Sequence, residues 1–240
     1  MEKEALKRIF DFFEKNEGKN HKQKGSLRWK IIFNEPITEE ELNFKGYLFL
    51  SGKNITSLPE GLKVSSWLDV SNTKITSLPE GLEVGSHLNL SQTQITSLPE
   101  GLKLGGGLTL DSSNITHLPE GLEVKGNLNL RNCKSLTSLP EGLKVSLDMH
   151  LTNSKITLLP KGLKVNGDLG LTDSKITSLP EGLKVGGYLM LISTNVTSLP
   201  KGLEVGDNIY IKNTELTKYS NKELRQMIKP GFIEGKIIRD

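Results

Sequence analysis

The sequence predicts an α/β solenoid, in which a short unit repeats along the chain and successive units stack on one another. Between residues 47 and 207 a unit of the form x-L-x-L-S-x-T-x-I-T-S-L-P-E-G-L-K-V-x-G occurs eight times, seven times with 20 residues and once with 21. Eight of the ten prolines occupy one position of this unit, and a glycine follows each of them two residues later. This shared register predicts stacked turns.

The first element of each unit is the x-L-x-L segment, whose apolar residues alternate with polar ones. Alternation is the period of a short strand with one buried face, so Leu88 and Leu90 are predicted to point inward, and His87 and Asn89 outward. We therefore expect one strand from each unit. Stacking of the units makes these strands parallel neighbours in a concave sheet, roughly 4.8 Å apart.

The second element is the return path to the next strand. Its apolar residues in the third unit are Ile95, Leu98, Leu102 and Leu104, and their uneven spacing fits an irregular coil. A Pro-Glu-Gly sequence in the middle of the path disfavours a regular helix. The convex side is therefore predicted to be irregular, either extended or with short 3₁₀ turns.

The pattern LxLxxTxIxxLP resembles the leucine-rich-repeat signature LxLxxNxLxxLP over residues 47 to 207. The 20-residue unit is most similar to the short bacterial class found in type III-secreted effectors and in repeat proteins of bacteria and phages. The resemblance implies a horseshoe with a parallel concave sheet. For function it implies a scaffold that can present many different surfaces.

This chain departs from that signature at one position, where the usual asparagine bonds the backbone of adjacent turns. Here the position carries hydroxyl or thiol side chains, namely Thr73, Thr93, Ser113, Cys133, Ser154, Ser174 and Thr194. A buried ladder of hydroxyl groups is predicted in place of the asparagines. Cys133 is interpreted as one rung of this column rather than as a catalytic or redox thiol, because no base is patterned beside it.

Residues 1–46 are predicted to form an N-terminal helix and a degenerate capping repeat. Leu6, Ile9, Phe10 and Phe13 lie at the spacing of one helix face, which predicts a helix over about residues 2–16. A polar loop follows, and the segment after it keeps the phase of the repeat. An open solenoid exposes its core at both ends, so capping is the favoured role, with partner binding by the helix as the alternative.

Residues 208–240 are predicted to form a C-terminal cap of helix and strand. Ile209 and Ile211 begin a ninth unit, and Ser220 with Glu223 gives a capping-box pattern for a helix that ends near Pro230. The sequence FIEGKII after it is predicted to add a last strand.

Charge and composition exclude several classes of protein. The net charge of +3 divides into +1 for residues 1–46, −1 for 47–207 and +3 for 208–240, so no segment has the basic excess of a nucleic-acid interface. The N-terminal segment does not fit a Sec signal peptide, and no apolar run approaches the roughly 20 residues that cross a bilayer. A soluble, cytoplasmic protein without membrane contact is expected, with signal-less secretion left open.

No catalytic motif is present in the sequence. It contains no phosphate-binding loop, dinucleotide fingerprint, HExxH or nucleophile elbow, and its one cysteine permits neither a disulfide framework nor a zinc cluster. Effector ubiquitin ligases of similar repeat type carry a catalytic cysteine after the repeats, whereas none of the 33 residues after Asp207 is cysteine. We therefore expect a protein that is not an enzyme and that uses no cofactor and no metal.

Function is predicted to lie on the outward-facing strand positions, because these vary while the core positions do not. The expected partner is a neutral or basic protein, bound by a monomer, and the alternative is a structural, self-associating repeat protein. Tyr47 and Phe49 are ambiguous, since a cap could cover the first strand. The Lys/Glu column from Lys63 to Glu204 is interpreted as a solvated convex face. The predicted contact residues are Trp67, Asp69, His87, Asn89, Asp111, Asn129, Arg131, Asp148, His150, Asp168, Tyr188 and Met190.

Overall fold

The computed structural model describes residues 26 to 240, which form a parallel-strand β-solenoid. The chain winds through turns of about 20 residues, and each turn contributes a strand of two residues to a ten-stranded parallel sheet, the long sheet. Its strands are Leu48–Phe49, Leu68–Asp69, Leu88–Asn89, Leu108–Thr109, Leu128–Asn129, Met149–His150, Leu169–Gly170, Leu189–Met190, Ile209–Tyr210 and Ile237–Ile238.

The predicted register of the long sheet is confirmed. Leu68 pairs with Leu88 at the usual spacing of one unit, and the spacing becomes 21 residues where Leu128 pairs with Met149 and 28 where Ile209 pairs with Ile237 of the C-terminal segment. The extra residue lies between Cys133 and Leu136, where Lys134 and Ser135 are both exposed. The insertion therefore leaves both neighbouring strands in phase.

The prediction of one strand per unit is wrong, because each turn also forms a second short strand, while the path between the two strands has no regular secondary structure. These strands pair in parallel in a four-stranded and a six-stranded sheet, the short sheets. The Leu-x-Val spacing of two residues is itself a strand period, but a strand of two residues carries too weak a pattern to be recognised. The strands are Asn43–Phe44, Lys63–Val64, Glu83–Val84, Lys103–Leu104, Glu123–Val124, Lys144–Val145, Lys164–Val165, Lys184–Val185, Glu204–Val205 and Phe232–Ile233.

The core is a stack of similar layers between the sheets. In one turn Leu88, Leu90, Ile95 and Leu98 are buried, together with Val84 of the short strand. The same positions are buried in the neighbouring turns, so each layer packs on side chains of the same kind above and below it. Burial of apolar area is the main stabilising term of such a stack.

The corner after each strand of the long sheet has a left-handed backbone. Gly52 occupies this corner in the first turn with φ 67°, and the residues at the same position in later turns have φ between 53° and 58°. Asn and Asp tolerate this conformation better than other non-glycine residues. Those residues are Asn72, Gln92, Ser112, Asn132, Asn153, Asp173, Ser193 and Asn213.

The hydroxyl column lies where it was predicted, but most of its bonds stay within a turn. Thr73 Oγ1 donates to Val70 O at 2.7 Å, and Thr93 Oγ1 donates to Leu90 O at 2.7 Å. Among the residues that the structure describes, the buried hydroxyls of Ser154 and Ser174 have no hydrogen-bond partner. Because the methyl of threonine restricts χ1, the threonines hold the bonding rotamer more firmly than serine does.

Replacing Thr93 with valine should lower the free energy of unfolding by about 1 kcal/mol, because the buried bond to Leu90 O is lost without a change in shape. Ser174→Ala should change it by less than about 0.5 kcal/mol, since no bond is removed. Urea denaturation of both variants gives the comparison. Equal losses at the two positions would show that the hydroxyl bonds do not differ as described.

The N-terminal end of the described chain contains two helices before the first full turn. Helix Leu27–Phe33 begins at the N-cap Ser26, and helix Glu39–Leu42 begins at a capping box made by Thr38 and Glu41. Leu27–Phe33 was not predicted, because seven residues give little periodicity. Asn43–Phe44 pairs with Lys63–Val64, as the predicted repeat phase requires. The predicted helix at residues 2–16 lies outside the described residues.

The C-terminal end follows the predicted order. After Ile209–Tyr210 come a 3₁₀ helix, Glu215–Lys218, and helix Asn221–Met227, which begins with the predicted capping box of Ser220 and Glu223. The following segment forms two strands rather than one, Phe232–Ile233 and Ile237–Ile238. No helix within residues 26–240 is both long and apolar enough to cross a bilayer.

Candidate binding face

The outer face of the long sheet consists of the side chains that point away from the core. In each strand a buried leucine, isoleucine or methionine precedes a residue that is more accessible in nearly every turn, as with Leu68 and Asp69 or Leu88 and Asn89. All twelve predicted contact residues lie on this face, and each is exposed or half-buried. The sheet therefore brings them together as a continuous surface across neighbouring turns.

Four rings form a contiguous aromatic row at the N-terminal end of this face. The rings of Tyr47 and Phe49 are stacked with centroids 6.1 Å apart, Phe49 lies 6.3 Å from Trp67, and Trp67 lies 5.1 Å from His87. Tyr47, Phe49 and Trp67 are 62%, 46% and 37% exposed. Residues 26–46 thus leave the row accessible, whereas the predicted helix at residues 2–16 lies outside the described residues, so coverage of Tyr47 and Phe49 by that helix is not tested.

His87 is held in a fixed position within the row. Its imidazole lies between the Trp67 ring and Gly107, where a Cβ atom would be 2.5 Å from His87 Nδ1. His87 Nε2 is 2.8 Å from Thr109 Oγ1. Burial lowers the pKa of His87, although the charge of Asp69 acts in the opposite direction. The imidazole is therefore mainly neutral at pH 7 and behaves as an aromatic surface.

The imidazole of His150, like that of His87, lies over a glycine of the following turn. A Cβ atom on Gly170 would lie 3.1 Å from His150 Nδ1, so the glycine provides the space over which the imidazole lies. Burial and then the charge of Arg131 lower the pKa of His150, while Asp148 and Asp168 raise it. An alignment of the repeat units would have revealed these histidine–glycine contacts, because a glycine stands one turn after each of the two histidines.

Two of the predicted contact residues, Asp148 and Asp168, also hold adjacent turns together. Asp148 Oδ1 accepts from Asp168 N at 2.9 Å, and Asp168 Oδ1 accepts from Tyr188 N at 2.8 Å. Asn127 continues this column, because its Oδ1 accepts from Asp148 N at 3.1 Å. The side-chain ladder between turns that was expected in the hydroxyl column is therefore found on the outer face.

Four other polar residues of the face each use one side-chain oxygen in a hydrogen bond within the protein. Asp69, Asn89 and Asn129 each accept from the backbone N–H two residues later, at 2.9, 3.1 and 3.2 Å. Asp111 Oδ1 accepts from Asn132 Nδ2 at 3.2 Å. These bonds fix the orientation of the side chains, which reduces the entropy that a bound partner would have to restrict.

A second apolar area lies at the C-terminal end of the face. The rings of Tyr188 and Tyr210 meet edge to face with centroids 5.9 Å apart, and Met190 pairs directly with Tyr210. The negative charge of Asp207, followed by the electrostatic effect of the neighbouring Tyr210 hydroxyl, raises the pKa of the Tyr188 hydroxyl. Tyr188 therefore remains an uncharged aromatic side chain at neutral pH.

Cys133 lies in the core beneath this face and not on it. Its Sγ donates to Leu110 O at 3.1 Å and lies 3.9 Å from Ser113 Oγ. Burial raises the pKa of the thiol to about 11, so it is protonated at neutral pH. Across residues 26–240, no three histidine, cysteine or acidic side chains are grouped in a way that could hold a metal ion.

No protein-family model matches the chain, and no curated protein is significantly similar to it.

Proposed function

We propose that the chain is a non-catalytic protein-binding module of the leucine-rich-repeat type, of the short class found in bacteria and phages. The partner binds the outer face of the long sheet, which corresponds to the concave face of such a repeat horseshoe. The aromatic row carries this proposal, because its three largest rings stay between 37% and 62% exposed although they contact one another.

Exposed rings are costly in water unless a partner covers them. Roughly 150 to 250 Å² of surface is removed from water when an aromatic side chain is buried. Aromatic residues are also enriched in the hot spots of protein interfaces. Their mutual contacts hold the rings of Tyr47, Phe49 and Trp67 before a partner arrives. Little conformational entropy is therefore lost on binding.

The charges of the face favour a neutral or basic protein. Asp69, Asp111, Asp148 and Asp168 face solvent together with Arg131, so carboxylates predominate between the two apolar ends. Each aspartate uses one oxygen in a bond within the protein and keeps the other for a partner. Trp67 and Tyr188 are six strands apart, roughly 29 Å, which suits a standard-sized interface.

The double substitution Trp67→Ala and Tyr188→Ala should reduce capture of the partner by at least about tenfold, since each removes a hot-spot ring. Leu158→Ala is the matched control, because Leu158 is a hydrophobic residue that is 58% exposed and lies outside the outer face. Affinity capture followed by mass spectrometry identifies the partner. Titration of the purified partner then measures the loss.

The proposal fails if the control variant loses as much binding as the double variant, or if neither variant changes capture. The two variants should also have the thermal stability of the parent protein to within a few degrees. A molecular mass that rises with concentration, and falls in the double variant, would instead identify the partner as a second copy of this chain.

A further inference from the structure

A groove of about 450 Å³ lies on the solvent side of the four-stranded short sheet, across the first turns of the solenoid. Its floor follows one column of small residues, Ser65, Gly85 and Gly105, and a lysine stands in that column at each end, Lys45 and Lys125. A Cβ atom on Gly85 or Gly105 would lie 2.1 or 1.9 Å from a backbone oxygen of the preceding turn. The floor at Gly85 and Gly105 is therefore bare backbone, and Ser65 beside them carries only a short side chain, whose Oγ accepts from Gly46 N.

One wall of the groove is formed by Lys63, Glu83 and Lys103. Glu83 Oε1 is 2.9 Å from Lys103 Nζ and 3.5 Å from Lys63 Nζ, so one carboxylate serves two ammonium groups. The bond from Lys103 lowers the pKa of Glu83, which stays ionised at neutral pH. Within the described chain Lys45 and Lys125 have no ion-pair partner. The groove therefore carries four positive charges and one negative charge.

We propose that this groove binds an extended acidic peptide segment of a partner protein. Its end lysines are four turns apart, roughly 19 Å, which is about the length of six residues of extended chain. The positive charges are distributed along that length, so they complement carboxylates that are spaced along a chain. A compact anion would reach only one or two of the lysines.

The lining favours a peptide over a nucleic acid. Of the described residues that line the groove, every cation is lysine, and the aromatic one, Phe44, is half-buried. Bases bound to proteins as single strands need exposed rings or arginine planes on which to stack. The aliphatic stems of the lysines, in contrast, can pack against an extended backbone while their ammonium groups bind carboxylates.

In this proposal the first residues of the Lys/Glu column bind a partner in addition to forming a solvated face. Lys45 and Lys125 belong to the adjacent column, in which the other turns of the groove carry serine or glycine. The excess of positive charge therefore arises from the two columns together. The groove and the aromatic row share no residue, so the two binding proposals can fail separately.

The experiment measures fluorescence anisotropy of fluorescein-labelled hexaglutamate with the full-length protein at low ionic strength. Lys45→Gln combined with Lys125→Gln should weaken binding about tenfold, because two exposed charge pairs are lost. The control combines Lys155→Gln with Lys175→Gln, which removes the same charge from two exposed lysines outside the groove. The control should bind within about twofold of the parent protein.

Three results would overturn the proposal. These are absence of hexaglutamate binding to the parent protein, an equal loss in the control variant, and tighter binding of a thymidine hexanucleotide than of the peptide. Hexaglutamine should not bind. The Trp67→Ala and Tyr188→Ala variant should bind hexaglutamate like the parent, so failure of the aromatic row leaves this result unaffected.

Discussion

Replacing Leu130 with alanine should lower the free energy of unfolding by about 2 to 5 kcal/mol. Leu130 is completely buried in a central turn, and it packs between the equivalent leucines Leu110 and Leu151. Removing its isobutyl group leaves a cavity that the fixed spacing of the turns cannot close, since both neighbouring strands are held by the backbone ladder. The loss should therefore lie toward the upper part of this range.

Leu158→Ala is the matched control, with the same chemical change at a side chain that is 58% exposed. Its effect should stay below about 0.5 kcal/mol. Urea denaturation followed by circular dichroism gives both values, with a check that the slope of the transition is unchanged. Similar losses in the two variants would refute the assignment of inward and outward positions.

The Cys133 thiol should react with a disulfide reagent at least about a hundredfold more slowly in the folded protein than in denaturant. The side chain is fully buried, and its pKa is about 11 rather than the usual 9.0. Both effects remove thiolate from contact with the reagent. Release of the chromophore from an aromatic disulfide reagent measures the rate. Equal rates in the two states would contradict the burial of Cys133.

The Cys133 thiol also makes the free energy of unfolding depend on pH in the alkaline range. The pKa is raised on folding, so the unfolded chain loses this proton near pH 9 and the folded chain keeps it up to about pH 11. The stabilisation is complete below pH 9 and is lost as the pH rises through this interval. Stability of the parent should fall more steeply there than that of a Cys133→Ala variant. Parallel curves would contradict the shift.

The sequence allowed the long sheet and its register to be predicted because one turn repeats eight times. A strand of two residues leaves an alternation at Leu88 and Leu90 that becomes convincing only when it recurs. The strands of the short sheets recur equally often, yet their Leu-x-Val alternation resembles part of an irregular path. Helix Leu27–Phe33 occurs once and is short, so no repetition strengthened its signal.

The residues of the binding face could be predicted, but their internal bonds could not. Alternation places Asp148 and Asp168 outside the core, which suggested residues free for a partner. Their bonds to backbone N–H groups depend on how closely one turn follows the next, and this distance is a three-dimensional property. The glycines beneath His87 and His150, in contrast, could have been found by aligning the columns.

The gap between the two short sheets affects how strongly each turn of the solenoid stabilises the next. Strands Lys103–Leu104 and Glu123–Val124 do not pair, whereas the long sheet continues past them. In a one-dimensional stack, stability depends on each turn and on its coupling to the next. Beside these two strands a single backbone bond, from Gly126 N to Gly106 O, replaces the ladder, so the coupling is weaker than where both sheets are continuous. The halves on either side are the natural units of partial unfolding.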